Sequence, residues 1–119
     1  MDTSVLIEDP EWLKDPYLDI RIPMRVIRQL DGLKDSDKSK VRWNSRQASN
    51  LIDELSIPTL QKKEFIQDLG NQADNEIIGA AILLKKEYPD ERIILFSTDI
   101  NMLIVARTYG IEAVDPFKL

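Results

Sequence analysis

Apolar residues recur at helical spacing in several stretches of the chain and crowd into short extended runs in others. In "MRVIRQLDGLK", residues 24–34, Val26, Ile27, Leu30 and Leu33 share one helical face. From Arg42 to Leu55, Trp43, Ala48, Leu51, Ile52 and Leu55 suit a helix that Pro58 stops. The strongest helix runs from Asp74 to Glu87. Its wide apolar face is Ile77, Ile78, Ala81, Ile82 and Leu84, with Lys85 and Lys86 suited to the last turn. Asn101 to Tyr109 predicts another helix, closed by Gly110 as a natural C′ residue. Asp9-Pro10-Glu11 reads as a helix start, with Asp9 as N-cap and Pro10 in the first position. "DIRIP", 19–23, Ile93 to Phe96 and Ile111 to Val114 predict strands. The second is apolar on both faces, as in a parallel sheet covered by helices. "KDSDKSK", 34–40, is a charged loop, and "TLQKKEFIQDLGN" predicts either a short helix or an extended arm. The alternation predicts an α/β sandwich in one domain over residues 1–119.

Composition narrows the chemistry. With 43% hydrophobic residues the 119-residue chain has enough apolar surface for a real core. A net charge of −5 argues against a broad electrostatic grip on nucleic acid, though an acid cluster that binds cations also lowers the net charge. There is no Cys and no His, which removes disulfides, Cys/His zinc sites, Cys nucleophiles and His triads. That usage fits a cytoplasmic protein. "MDTSVLIEDPEWLKD" is charged within its first residues and does not read as a signal peptide, and no apolar run is long enough to span a bilayer. No Gly-x-x-x-x-Gly-Lys-Ser/Thr motif occurs, so the chain carries no ATPase P-loop.

Any chemistry must then come from carboxylates, amides, hydroxyls, Lys, Arg or an added metal. Sites in open α/β sheets gather at the carboxyl ends of parallel strands. Asp99 follows such a strand, Asp74 opens the helix before it, and Asp2 precedes an apolar run. Each also has a plain structural reading: Asp74 and Asp99 as helix caps, Asp2 as a solvated terminal residue. Lys38, Lys40, Arg42 and Arg46 surround Trp43, a basic stripe with an aromatic that suits single-stranded RNA through phosphate contact and base stacking. The plain reading is a solvated helix face with Trp43 on the core. Arg28 and Lys34 are further candidates for phosphate contact.

Four stretches resemble the PIN domain family, most closely the PIN domains joined to PhoH-like ATPases. "DTSVLIEDPEWL" resembles Asp-Thr-Asn-Val-Leu-Leu-x-Asp-Pro, and "IRIPMRVIRQLDGLK" resembles Val-Ile-Pro-Leu-x-Val-x-x-Glu-Leu-Asp-x-Leu-Lys. "NSRQASNLIDEL" resembles a helix reading Asn-Ala-Arg-x-x-x-x-x-Leu-Asp-Glu-Leu. The closing run "DNEIIGAAILLKKEYPDERIILFSTDINMLIVARTYGIEAVD" is the most specific part. The resemblance implies a three-layer α/β/α sandwich with a short parallel sheet. It also implies a Mg²⁺- or Mn²⁺-dependent endoribonuclease acting on single-stranded RNA, with metal-binding acids at Asp2, Asp74 and Asp99 and an ordering hydroxyl at Ser97.

Two positions depart from the family. Gln29 stands where the pattern has Glu; an amide offers an oxygen but neither negative charge nor a base, and Asp31 lies on a different helical face. The family's first, central strand is missing before Asp2. The chain is then a shortened relative, or a protein partner or second copy completes the sheet, or strands 19–23 and 93–97 pair directly, Asp2 being displaced in the latter cases. The alternative function is a catalytically degenerate module that binds RNA or a protein partner; a nuclease restrained by an antitoxin is a third reading.

Overall fold

A computed structural model describes residues 1–119. It combines helices with short parallel strands in a compact α/β arrangement, with a Cα radius of gyration of 13.5 Å. The chain opens with helix α1 (Thr3–Glu8), which the sequence reading did not anticipate. A 3-10 turn (Pro10–Lys14) follows, where the Asp9 side chain accepts from the Glu11 N–H as its cap pattern predicts. Strand β1 (Ile22–Pro23) leads into α2 (Met24–Leu33), then α3 (Ser39–Glu54) and β2 (Thr59–Leu60). Helix α4 (Gln72–Glu87), β3 (Ile94–Phe96), α5 (Ile100–Thr108) and β4 (Glu112–Val114) complete the order. Gly110, at φ +81°, ends α5 as expected. One core cluster draws on all five helices, from Leu6 and Leu30 to Ile77, Ile78 and Met102. No helix is long and apolar enough to cross a membrane.

Residues 61–69 form the extended arm of the two alternatives. The arm crosses α4 at Gly79, whose carbonyl accepts from the Glu64 N–H at 3.0 Å. A Cβ at position 79 would meet the Glu64 carbonyl oxygen at 2.1 Å, so the crossing requires glycine. Buried Asn75 holds the end of the arm, accepting from the Leu69 N–H at 3.0 Å and donating to the Leu69 carbonyl at 2.8 Å.

The sheet is split. β1 pairs with β2 and β3 with β4, both parallel, but β1 and β3 do not pair with each other. Direct pairing of strands 19–23 and 93–97 is therefore corrected: residues 1 and 2 stand between them. The Met1 amino nitrogen donates to the Arg21 carbonyl at 3.3 Å on one side. The Asp2 N–H donates to the Phe96 carbonyl at 2.8 Å on the other. These two bonds bridge the mouth of a cleft of about 400 Å³ between the half-sheets. With no neighbour along most of its length, the extended run at 19–23 registers as a strand only at Ile22 and Pro23.

Candidate functional site

The carboxyl end of β3 collects the acids. Asp2 is buried rather than displaced, at 5% exposure, because its N–H is tied to β3 and its side chain is satisfied locally. Its Oδ2 accepts from the Ser97 hydroxyl at 2.8 Å and from the Ser4 hydroxyl at 2.7 Å. Ser97, fully buried, also accepts from the Asp99 N–H at 3.0 Å. One hydroxyl thus joins the first acid to the turn carrying the last. Ser4 does the same a residue earlier, accepting from the Thr98 N–H at 3.0 Å. Ser4 escaped the sequence reading, although it occupies the Asn position of the Asp-Thr-Asn-Val pattern, where a short polar side chain after the first acid is the signal.

Asp99 is the N-cap of α5. Its Oδ1 accepts from the N–H groups of Asn101 and Met102 at 3.0 and 3.2 Å, so the capping reading is correct. Capping occupies one oxygen and leaves Oδ2 without a hydrogen-bond partner, so a cap and a ligand are compatible roles. Asp74 is not a cap. Asn71 caps α4, accepting from the Ala73 N–H at 2.8 Å, and Asp74 lies inside the first turn. Its side chain has no hydrogen-bond partner in the protein. Its pKa is pushed up from 3.8 to about 6, first by partial burial, then by the negative charges of Asp2 and Asp99. The contributions of Asp2 and Asp99 put Asp74 on the same side of the fold as the other two acids.

Gln29 also reaches this end of the fold. Its Oε1 accepts from the hydroxyl of Thr3, next to Asp2. The amide is thereby anchored to the start of α1, and its oxygen is engaged.

The basic stripe lies elsewhere. Lys40 pairs with Glu8 at 2.7 Å, and Asn44 donates to the Ile7 carbonyl at 2.8 Å. These contacts place the start of α3 at the far end of α1 from Asp2, about 9 Å along a six-residue helix. Arg42 donates to the Ser36 carbonyl at 2.9 Å, and Arg46 to the Lys34 carbonyl and to Asp35 at 2.8 and 3.2 Å. Lys38 has no such partner. Trp43 is 64% exposed, so the reading that packed it on the core is corrected. Lys34 is paired with Asp31 at 2.8 Å. Arg28 lines a separate cleft of about 250 Å³ with Arg25 and Lys63, both of which face Glu76, at 3.2 and 3.7 Å.

The donor chemistry fits a hard divalent cation. Asp2 Oδ1, Asp99 Oδ2 and both oxygens of Asp74 have no hydrogen-bond partner in the protein, and such oxygens are the preferred ligands of Mg²⁺ and Mn²⁺. No three acids stand close enough to enclose an ion by themselves. Mg²⁺ commonly keeps several waters and uses one or two carboxylates, so an open arrangement is consistent with its chemistry.

The PIN domain family matches residues 1–116 of the chain. No curated protein sequence matches it. The match takes in almost the whole length, and the chain belongs to the PIN domain family, a nuclease-like fold whose members typically use divalent metals.

Proposed function

We propose that this PIN domain is a metal-dependent endoribonuclease that hydrolyses phosphodiester bonds in single-stranded RNA. Its motifs resemble those of PIN domains joined to PhoH-like ATPases, and the proposal places it in that group. The observation that carries it is the state of Asp74: a carboxylate without a protein partner, driven up to about 6 by burial and by two neighbouring acids. Like charges held together cost stability, and a divalent cation removes that cost. Asp2, Asp74 and Asp99 would hold the ion together with bound waters, since the three carboxylates alone do not enclose it. Bound Mg²⁺ or Mn²⁺ supplies an activated water and shields charge on the phosphate.

The remaining work falls to the chain. The Ser97 hydroxyl fixes Asp2 and the Asp99 backbone relative to each other, so two ligand-bearing segments keep their spacing. Capping of α5 holds the Asp99 side chain through one oxygen and leaves the other free for a ligand role. Trp43, exposed on α3, supplies a face on which an RNA base stacks, and Lys38 supplies a cation for the backbone.

A second reading has a specific observation behind it. Gln29 is neutral, and its oxygen is bound to Thr3, so this position adds neither charge nor a base. That favours a degenerate module that binds RNA without cutting it.

End-labelled single-stranded RNA incubated with Mn²⁺, beside Asp74→Asn and Asp99→Asn, separates the two. Metal-dependent cleavage lost in both variants, with folding intact, supports the nuclease. Equal cleavage by all three proteins removes these acids from the mechanism. RNA retention by the wild type without cleavage selects the binding module.

A further inference from the structure

The two half-sheets end in opposite kinds of charge. The carboxyl end of β3 carries the acids, whereas the carboxyl end of β1 opens into cations. Pro23, Met24 and Arg25, where β1 runs into α2, line a cleft of about 250 Å³ with Arg28, Lys63 and Glu76. Three cations thus share one carboxylate, in a chain whose net charge is −5. Elsewhere cations are matched singly, Lys40 by Glu8 and Arg92 by Glu112. Arg28 has no ion-pair or hydrogen-bond partner in the protein. Arg25 lies 3.2 Å from Glu76 Oε2, but that oxygen receives no hydrogen bond, so the guanidinium donors remain unused. No side chain caps α2, and its first-turn N–H groups add to the positive field.

A second cleft, of about 490 Å³, adjoins the first through Lys63 and Glu76 and runs past Phe65 to Gly70 and Gln72 at the start of α4. Phe65 is 80% exposed, and the arm holds it there: Glu64 before it is bonded to Gly79, and Ile66 after it is buried. A ring fixed outward on a fastened backbone loses little entropy when something stacks on it. Helix α4 ties both clefts to the acids, because Asp74, two residues before Glu76, responds to Asp2 and Asp99. A chain of linked anions with flat apolar groups beside them matches this succession of cations and aromatic. We infer that single-stranded RNA lies along the arm, with one phosphate in the cleft of Arg25, Arg28 and Lys63 and a neighbouring base stacked on Phe65, and passes over the start of α4 to Asp74. The inference rests on the proposed action on single-stranded RNA, and it adds the path of the strand to that reading.

Fluorescein-labelled single-stranded RNA in EDTA, where metal-dependent cleavage is off, reports binding by anisotropy. Arg28→Ala and Phe65→Ala alter exposed side chains and are expected to keep the circular dichroism of the wild type. Each is expected to weaken binding about tenfold. Arg28→Ala should also lower the slope of log affinity against log salt by about 0.7, the value of one phosphate contact on a single strand, and Phe65→Ala should leave it unchanged. Wild-type affinity in both variants would overturn the inference and leave the nuclease reading standing. So would equal weakening by Lys118→Ala, which removes the same charge near the chain's end, since net charge alone would explain the loss. A wild type that does not bind RNA would overturn the inference and the RNA reading together.

Discussion

Asp2 and Asp99 reach the candidate site through hydrogen bonds supplied by the fold, whereas Asp74 reaches it with none. Two hydroxyls hold Asp2, and the first amides of α5 hold Asp99. Those bonds satisfy carboxylate oxygens and help offset the cost of taking them out of water. Asp74 sits in the first turn of α4, where the helix dipole favours a negative charge, yet burial and its two neighbours outweigh that and raise its pKa. Two acids of the candidate site are thus held in place by the fold, and the third costs stability unless a cation neutralises it. Residues that cost stability while serving a site are a known signature of function.

The contrast makes ranked predictions. Asp74→Asn is expected to lower RNA cleavage by about 100-fold or more, while raising the Tm of the metal-free protein. A fall in Tm would mean that Asp74 is structurally held after all. Ser97→Ala acts in the opposite sense. It leaves Asp2 Oδ2 buried with one partner fewer and the Asp99 N–H unsatisfied, and is expected to cost about 2 kcal/mol in urea unfolding. An unchanged midpoint would show that Ser4 alone secures Asp2.

The pH dependence separates the acids further. Between about pH 4 and pH 6 the folded chain binds a proton at Asp74 that the unfolded chain releases, so stability falls as pH rises through that window. Solvent at the edge of the site limits the effect to about 1 kcal/mol. Asp74→Asn should remove this slope, and millimolar Mg²⁺ should offset the loss at pH 7; a wild-type slope unaltered by the mutation would assign it to another group. The smallest expected change is the stability of Asp99→Asn. Asn caps helices about as well as Asp, so the unfolding free energy should stay within about 0.5 kcal/mol of wild type. Its cleavage should nevertheless be lost, which would divide the two roles of one side chain.

The regular elements were legible because their signals are local and repeated. The apolar stripe predicted α4 from Asp74, and the helix begins two residues earlier because Asn71, not Asp74, caps it. Both residues are good caps by type, and only the fold chooses between them. Helix α1 was missed because its six residues are too few to display a period and Asp2 makes no capping bond, its side chain being turned to Ser4 and Ser97. A shared sheet end for Asp2, Asp74 and Asp99 was expected from their places beside strand and helix ends. Their unequal support was not, since it depends on which hydroxyls lie beside which carboxylate across 95 residues of chain. The exposure of Trp43 was misjudged because a tryptophan on an amphipathic helix usually packs inward, and here it falls outside the buried face of Ala48, Leu51 and Ile52.

The crossing of the arm over Gly79 matters for the connectivity of the fold. Residues 55–71 link α3 to α4, and as one free loop they would carry a single large closure entropy. Pairing at 59–60, the bond of Glu64 to Gly79 and the clasp of Asn75 on Leu69 cut that link into short spans. The longest span between anchors is residues 65–68. Each anchor therefore fixes how much chain its neighbours can spend, and an insertion here is tolerated only within a span. A side chain at position 79 would release the middle anchor and merge two spans, turning a fastened strap into a slack one over the helix that carries Asp74.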